Sequence, residues 1–541
     1  MEDSLGIGTL LIERNHEMRA NYRNLLAQCG INDVQPVATA AAAIRKLQER
    51  PFDLIICEYH LGEGQDGQHL LEDMRIHRLI SLATVFIMVT GESSYERVVS
   101  AVELAPNDYI LKPFAAEILF QRISRAFDKR DAFLKTYQLI EIGNLDAAVA
   151  GCVDGEQMFP HYAVDFLRLR AELLVALGRP EQAHAIYLLV IEARAVPWAK
   201  LGLAKTMFLQ KQYSQAEEAL ASLVEENKQY LDAYDWLART REASGQLQAA
   251  QRTLEEAVAF SPHTLRRLKK LGDIAIDNGD MSMAERTISE VVRKGKYSDF
   301  RDPEDHVKLV KVFVAKGDRS QAEKTIRDLD RSMQGMPKTE VCSALSSAMV
   351  FTQAGEKDKA VEALNRAVAA TKDDIGLSDA VKLDLVQTCL DNDQQQAAVD
   401  MMSEVMRNAS DDAALNKAKL VFEKAGFKSM AEELALRAKQ EVVDLVSAGA
   451  KQAQAGDYEG SVDFMLQAVR KMPGNIQVGL NAALALLIFI DHRGWNDKFA
   501  KQARRLIDVA RQGDPANPRI GAMSEYFHNM LIRYGITPGR A

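Results

Sequence analysis

The chain has 541 residues, a charged fraction of 26% and a formal net charge of -9 at pH 7. This length is too great for one hydrophobic core, because single domains usually hold about 100 to 150 residues. The acidic balance provides none of the basic surface that nucleic-acid binding requires, so we expect protein partners rather than DNA or RNA.

Cysteine spacing and apolar runs narrow the class of protein further. The apolar run at 6–12 is too short for a signal peptide or a membrane span, and the run at 478–490 has the length of a buried core helix. We therefore expect a cytoplasmic protein with no membrane span. The cysteines lack CxxC or His-rich spacing, which predicts reduced thiols and no zinc site; they are Cys29, Cys57, Cys152, Cys342 and Cys389.

The first part of the chain alternates short apolar runs with helical patterns. Strands without polar alternation, separated by helices, predict a parallel sheet covered on both faces. The sequence thus predicts a doubly wound α/β domain over residues 1–130, with ligands beyond the carboxyl ends of the strands. The predicted strands are 8–13, 34–39, 53–58, 84–90 and 108–112, and the predicted helices are 16–30, 40–50, 68–80, 94–105 and 115–127.

From about residue 131 onward the pattern predicts helices alone. A turn residue, usually Gly, is followed five positions later by Ala, and successive copies lie 30 to 38 residues apart. The Gly ends one helix by adopting positive φ, and the small Ala allows the next helix to approach closely. The copies are Gly143/Ala148, Gly178/Ala183, Lys211/Ala216, Gly245/Ala250, Gly279/Ala284, Gly317/Ala322, Gly355/Ala360, Asn392/Ala397, Gly426/Ala431 and Gly456/Ser461.

A period near 34 residues is typical of a helix-turn-helix solenoid. The clearest copy, residues 233–262, resembles the tetratricopeptide repeat, with Tyr234 and Leu237 before the turn and Leu254 and Pro262 after it. The resemblance implies an all-α solenoid of about ten to eleven helical hairpins over residues 131–541, with a concave face that holds protein partners. A generic helical bundle is the alternative, but it gives no reason for a fixed period.

The polar residues at the strand ends resemble those of the receiver domain of bacterial response regulators. That family carries an acidic pair after the first strand, a phospho-accepting Asp after the third, a Ser or Thr after the fourth and a Lys-Pro after the fifth. This sequence has Glu13, Thr90 and Lys112-Pro113 at the matching positions, and Tyr109 at the position of a switch aromatic. Asp66-Gly67 are also kept, and in this family the acids hold Mg²⁺.

Two departures fall where the chemistry of that family takes place. Glu58 stands at the phospho-acceptor position, and its extra methylene moves the nucleophile by about 1.5 Å, where about 1 Å can cost roughly 10²-fold in rate. Arg14 stands at the second acidic position, so a cation replaces a metal ligand. The charges of Glu13, Arg14, Glu58 and Lys112 sum to zero. We therefore predict a pseudo-receiver with no catalytic residue, no metal and no cofactor.

Two interpretations of Glu58 remain. It contacts Lys112, Arg14 or Thr90 and holds an activated-like conformation, or the site is inert and the domain serves only for folding and docking. One carboxylate is a poor imitation of a phosphoryl group, which carries about two charges and three acceptor oxygens. In either case we expect a charge-assisted contact from Glu58 to Lys112 or Arg14, because an unpaired buried carboxylate is costly.

The leading functional hypothesis is a non-enzymatic signalling adapter in a bacterial two-component-type pathway. The alternatives are a phosphate-accepting response regulator with a repeat output domain, and a structural or assembly scaffold. Residues 116–141 contain no Pro or Gly, so the last receiver helix is expected to run into the first repeat helix. A homodimer formed through the face of Tyr109 is a further hypothesis, and the three tryptophans are expected in the core.

Overall fold

A computed structural model describes residues 6–62, 66–91, 106–262, 264–296, 301–371, 376–409, 412–514 and 517–536. These residues form a five-stranded parallel sheet flanked by helices, followed by an array of helices. The predicted fold class is therefore confirmed in its architecture. The helix predicted at 94–105 lies outside the described residues.

The sheet has the strand order β2-β1-β3-β4-β5, with every neighbouring pair parallel. The order reverses beside β1, which is the arrangement of a doubly wound sheet. The carboxyl ends of β1, β3, β4 and β5 therefore lie along one edge. The elements are β1 Thr9–Ile12, α1 His16–Gln28, β2 Val34–Val37, α2 Ala40–Glu49, β3 Leu54–Glu58, α3 Gly67–Ile76, β4 Val85–Thr90, β5 Asp108–Leu111 and α4 Ala116–Glu141.

Both faces of the sheet are buried, which explains the continuous apolar runs in β1, β3 and β4. Successive side chains of a strand point to opposite faces, so alternate residues enter two separate cores. Leu10, Ile55 and Phe86 pack on the face that α2 and α3 cover. Leu11 and Ile56 pack on the face that α1 and α4 cover.

The remaining chain is an array of helices, in which short turns join most neighbours. The helix Lys428–Gln454 is long enough to follow one predicted turn, at Gly426, and precede the next, at Gly456. The helices are Leu145–Met158, Ala163–Ala176, Pro180–Ala193, Pro197–Leu209, Tyr213–Glu226, Leu231–Ala243, Leu247–Phe260, Leu265–Asp277, Met281–Gly295, Pro303–Lys316, Arg319–Ser332, Thr339–Gln353, Lys357–Ala370, Asp379–Asp391, Gln395–Arg407, Asp412–Lys424, Lys428–Gln454, Tyr458–Lys471, Ile476–Arg493, Asp497–Gly513 and Pro518–Arg533, with a 3-10 turn at Pro160–Tyr162.

The predicted turn residues have positive φ in every copy except one. The alanines five positions later are fully buried in those copies, apart from the last, where Ser461 is 2% exposed. The prediction for Asn392 and Ala397 is wrong by one residue. Asp393 has φ of 58° and Ala398 is 0% exposed, because the preceding helix extends to Asp391 and shifts the turn.

One uninterrupted helix, α4, connects the sheet to the array. Leu119 and Ile123 on its first half pack into the core of the sheet. Phe133 on its second half stacks on Phe166 at a centroid distance of 3.8 Å. The predicted continuous junction is confirmed, and the predicted boundary at residue 130 lies inside this helix. Near its end, the Glu141 carboxylate accepts hydrogen bonds from the α3–β4 loop of the sheet domain.

The chain separates into two compact units. One contains residues 1–173 and 181–302, and the other contains residues 174–180 and 303–541. In the second unit, the helix Ile476–Arg493 is the one helix among the described residues that is long and apolar enough to cross a membrane. Half of its most apolar window is buried, and Leu486 and Ile490 pack in a core with Phe527. It packs as the core helix that the sequence predicted.

Candidate functional site

The carboxyl edge of the sheet brings four of the predicted pocket residues together. Glu13 follows β1, Glu58 ends β3, Thr90 ends β4 and Lys112 follows β5. Glu13 is 3% exposed and Glu58 6% exposed, so both carboxylates are buried despite their charge. Buried charges require partners, and the geometry of the pocket supplies them.

Lys112 lies between the two carboxylates and binds both. Its Nζ donates a hydrogen bond to Glu58 Oε2 and another to Glu13 Oε2, the second at 3.0 Å. The expected charge-assisted contact of Glu58 with Lys112 is therefore present. One ammonium neutralises part of the charge of two carboxylates at the point where the three strands end.

The remaining carboxylate oxygens are held by the backbone. Glu58 Oε1 accepts the amide of His60 at 3.1 Å, and Glu13 Oε1 accepts the amide of Asn15 at 2.8 Å. Each carboxylate thus has an ammonium on one oxygen and an amide on the other. Such paired, charge-assisted bonds fix the orientation of both side chains and offset the penalty of their burial.

The burial and the hydrogen bonds of Glu58 and Lys112 shift the pKa values of both side chains. Burial raises the pKa of Glu58, whereas the hydrogen bond from Lys112 and the amide of His60 oppose that rise. Burial alone lowers the pKa of Lys112, but its bonds to Glu58 and Glu13 outweigh burial and the pKa is raised. Lys112 is therefore a firmly held ammonium at neutral pH.

Tyr22 completes the pocket and was missed by the sequence analysis. Lys112 Nζ lies 5.4 Å from the centroid of its ring, and the ring stacks on Phe114 at 5.5 Å. Burial raises the pKa of Tyr22 to about 12, so the phenol stays protonated. The spacing of Met18, Tyr22 and Leu26 on one face of α1 could have placed it inward, but nothing in the sequence marks it as a neighbour of Lys112.

Arg14 is not drawn into the pocket. Its side chain is exposed and lies against Gly62, where an added Cβ would come within 3.0 Å of Arg14 Nη1. Among the described residues it forms no ion pair, so the alternative contact of Glu58 with Arg14 is absent. In those same residues no group of three or more His, Cys, Asp or Glu is placed to hold a metal ion.

Thr90 and Tyr109 lie on β4 and β5. Thr90 is 0% exposed, and its carbonyl accepts the amide of Lys112 at 2.8 Å, which positions the lysine at the end of β5. Tyr109 is half-buried and packs against the core under α2 and α3. Its amide donates to Asp108 Oδ1 at 2.8 Å.

The loop after β3 explains the pair Asp66-Gly67. Asp66 caps α3 by accepting the amide of His69 at 2.9 Å. Gly67 passes so close to β3 that an added Cβ would lie 2.6 Å from the carbonyl oxygen of Glu58. A glycine is needed here because any side chain would displace the backbone that carries Glu58.

Comparison with known proteins agrees with this geometry. Residues 9–124 match the response regulator receiver domain family. The N-terminal domain is thus a receiver domain of two-component signalling. The match concerns about a fifth of the chain.

Two curated relatives are similar to the same region. The chemotaxis protein CheY-3 of Vibrio cholerae is 28% identical over 120 residues, which are 22% of this chain and 91% of that protein. CheY of Pseudomonas aeruginosa is 26% identical over 120 residues, 22% of this chain and 95% of that protein. Among solved structures, a CheY-like receiver domain protein from Methanospirillum hungatei is 24% identical, with 23% and 98% of the two chains covered and a TM-score of 0.21.

Proposed function

We propose that this protein is a non-enzymatic signalling adapter of a bacterial two-component-type pathway, located in the cytoplasm. Its receiver domain is a pseudo-receiver, and its helical array is a set of tetratricopeptide-type repeats that bind protein partners. The observation that carries the proposal is the ion pair of Glu58 with Lys112. The residue at the phospho-acceptor position already holds the cation that a phosphoryl group would require.

The donor set around Glu58 does not fit Mg²⁺. Mg²⁺ requires oxygen ligands in a near-octahedral array and is usually bound through carboxylates. Here Glu13 and Glu58 both bind the Lys112 ammonium, and the position of the second acid is Arg14, whose guanidinium lies beside Gly62. Metal binding would require Lys112 to leave both carboxylates, and a fixed positive charge lies at the edge of the site.

The assignment of the array to tetratricopeptide-type repeats is supported by its turns and close approaches. Nine of the ten turn positions expected from the sequence have positive φ, and the tenth is displaced by one residue. The small residues that follow the turns are buried. Repeats of this type stack side by side and expose a continuous face suited to peptides, which is the basis for proposing protein partners.

Treatment of the full-length protein with a small phosphoryl donor and Mg²⁺ tests the proposal. Intact-mass measurement is expected to show no phosphoryl adduct, and calorimetric titration is expected to show no Mg²⁺ binding. The double variant Arg14→Asp/Glu58→Asp is the matched control, because it restores the acid and the acceptor expected of a receiver. A phosphoryl adduct on Glu58 in the natural sequence would favour the phosphate-accepting regulator instead.

A homodimer formed through the receiver is part of the same proposal. Leu111 on β5 is 49% exposed and Ile118 on α4 is 44% exposed, so both elements of the proposed pairing face expose an apolar side chain. Light scattering of the full-length protein is expected to show a dimer that Ile118→Asp dissociates. A monomer at tens of micromolar, or a dimer that Ile118→Asp leaves intact, would remove receiver pairing from the proposal.

A further inference from the structure

Three helices of the array, each separated from the next by one helix, carry aromatic side chains with cations over their rings. The Arg168 guanidinium lies 5.8 Å from the ring centroid of Trp198. Lys205 Nζ lies 5.1 Å from the ring centroid of Trp236, and the Arg239 guanidinium lies 4.7 Å from the same ring. We call this set, with Phe208, the tryptophan groove; its helices are Ala163–Ala176, Pro197–Leu209 and Leu231–Ala243.

The groove is built by helical spacing and one glycine. Trp198, Lys205 and Phe208 are seven and three residues apart, so they share one face of their helix. The Tyr187 ring packs against this helix where an added Cβ at Gly202 would lie 2.2 Å from the ring, and its edge meets Trp198 at a centroid distance of 6.2 Å. Trp198 and Trp236 are half-buried, not core as the sequence predicted, and cationic side chains lie over their rings.

Three of the four carboxylates near the groove are paired with other cations. Glu172 pairs with Arg168 at 2.9 Å. Asp235 accepts two bonds from the fully buried Arg267 and another from Arg266. A third acid, Glu242, binds Lys270 at 2.7 Å. The charges of Asp232 and Glu172 act on Lys205 without a hydrogen bond to it. Among the described residues, therefore, neither cation on Trp236 has a carboxylate within bonding distance.

Lys205 and Arg239 differ from these paired cations. Within the described residues, neither side chain donates a hydrogen bond or forms an ion pair, although each has several N–H donors. Burial lowers the pKa of Lys205 even though the charges of Asp232 and Glu172 oppose that effect. A partly desolvated ammonium with free donors gains strongly from an incoming carboxylate, because charge-assisted bonds are strongest away from water.

We propose that the tryptophan groove binds an acidic peptide segment of a partner protein in an extended conformation. One carboxylate of the peptide binds Lys205 and a second carboxylate, two residues further along the peptide, binds Arg239. Alternate residues of an extended chain lie roughly 6.7 Å apart on one side, a spacing suited to two cations on a single ring. This inference rests on the proposed adapter function and specifies the chemistry of its partner.

The charge balance supports this occupant. The protein has a net charge of -9, yet cations outnumber carboxylates in and around the groove. The cations are Arg168, Lys205, Arg239, Arg266, Arg267 and Lys270, and the carboxylates are Glu172, Asp232, Asp235 and Glu242. A basic peptide would meet unpaired cations, whereas an acidic one would neutralise them.

Tryptophan fluorescence of the full-length protein provides the test, because two of its three tryptophans lie in the groove. The probe is a short synthetic peptide in which Asp alternates with Leu. We expect a saturable change in fluorescence as the peptide binds. Lys205→Met and Arg239→Gln are each expected to lower the affinity for the peptide by about tenfold or more, as the loss of one charge-assisted bond predicts. Lys205→Arg is expected to keep most of the affinity, since it preserves the charge.

Arg252→Gln is the matched control, because Arg252 is an exposed cation on the second helix of the same pair. It is expected to bind the peptide as the natural protein does. Equal binding of a peptide with Asn in place of Asp would overturn the proposal, as would no binding or equal weakening by Arg252→Gln. The proposal would also be overturned if inorganic phosphate alone gave the same saturable fluorescence change and Lys205→Met removed it, because the ligand would then be a phosphate and not a peptide.

The two proposals fail in different experiments. A peptide that does not bind removes the groove assignment and leaves the phosphoryl-donor result on Glu58 unchanged. A phosphoryl adduct on Glu58 removes the adapter proposal, whether or not the peptide binds. Circular dichroism of each variant shows that a loss of binding is a loss of contacts and not of fold.

Discussion

The receiver pocket and the tryptophan groove each hold one lysine whose ammonium is partly withdrawn from water, and the two ammonium groups differ in their partners. Lys112 binds two buried carboxylates, and its pKa is raised. Lys205 lies over an aromatic ring, forms no ion pair among the described residues, and its pKa is lowered by burial. The first charge is satisfied inside the chain, and the second is available to a partner.

This difference shows why the two regions suit different roles. In a closed set of buried charges, such as Glu13, Glu58 and Lys112, each charge compensates the others, so the removal of one leaves an unpaired buried charge and destabilises the fold. A cation on an aromatic surface without a bonded carboxylate gives little stability, because the ring and the charges of Asp232 and Glu172 compensate its lost hydration only in part. Removal of Lys112 is therefore expected to lower the stability of the protein, whereas removal of Lys205 is expected to leave it equal or higher.

The largest effect is expected for Lys112→Met. This change leaves the carboxylates of Glu13 and Glu58 buried without their cation, and breaking such a pair costs about 3–5 kcal/mol of folding free energy. Hydrogen exchange of the amides in β3, followed by mass spectrometry, measures the local free energy of unfolding. The double variant Lys112→Met/Glu58→Met is expected to recover a large part of the loss, because one unpaired carboxylate is removed. Equal stability of Lys112→Met and the natural protein would show that the pocket is not a closed set of charges.

Gly202→Ala tests the packing of the groove. The added Cβ overlaps the Tyr187 ring at 2.2 Å, so the ring or the helix must move, and overpacking of this kind costs about 1–3 kcal/mol. Chemical denaturation followed by tryptophan fluorescence measures the loss. Gly479→Ala is the matched control: it also lies inside a helix, but with nothing within 4 Å of the added Cβ. It should be stabilising by about 0.5–1 kcal/mol, as glycine is a poor helix former.

Glu141→Ala tests the junction between the two regions. Glu141 Oε1 accepts bonds from the Ser81 hydroxyl at 2.6 Å and the Leu82 amide at 2.7 Å, both at the protein surface. Their loss is expected to cost about 1 kcal/mol and to speed hydrogen exchange of the α3–β4 loop. Glu141→Gln keeps an acceptor oxygen, so its stability and its loop exchange rate should lie between those of the natural protein and Glu141→Ala. Unchanged exchange of Leu82 in Glu141→Ala would show that α4 alone fixes the junction.

Much of this architecture could be predicted from the sequence because it depends on periodic patterns. Apolar runs identified the strands that the structure describes, and turn residues with following alanines identified the helix pairs. The one shifted copy, at Asn392, arose where Asp393 supplies the positive φ and two adjacent alanines, Ala397 and Ala398, fit the spacing equally well. Local patterns fix which elements form, whereas a shift of one residue is decided by tertiary packing.

The pocket was predictable only in part, for a physical reason. Positions at strand ends are set by the sheet, so Glu13, Glu58, Thr90 and Lys112 could be placed together from the sequence. The direction of each long side chain depends on competing partners, which is why Arg14 turns toward Gly62 while Lys112 binds both acids. Tyr22 and the tryptophan groove depend on contacts between elements far apart in the sequence, and the helical pattern of each element does not reveal them.

The smallest effect, and the most informative, is expected for Lys205→Met. Methionine keeps the apolar stem and removes a charge whose folded-state pKa is lowered by burial, so stability should be equal or higher by up to about 1 kcal/mol.

The lowered pKa of Lys205 also sets the direction in which its effect on stability changes with pH. The unfolded chain holds the proton more tightly, so below its pKa of about 10.4 the charge disfavours folding, and this penalty disappears as pH rises toward that value. Lys112 behaves oppositely, because its raised folded-state pKa gives stability that is complete below about 10.4 and is lost at higher pH. The groups that face Lys205 are Asp232, Glu172, Arg168 and Arg266, and the side chains of these four are unchanged in the variant. Denaturation of the natural protein and both variants from neutral pH to pH values near 10 measures the stability difference of each variant. In this range the difference for Lys205→Met is expected to shrink as pH rises, whereas that for Lys112→Met is expected to stay constant. A Lys205→Met protein that is less stable than the natural one by several kcal/mol would mean that Lys205 is paired within the chain, and the contrast between the two lysines would be lost.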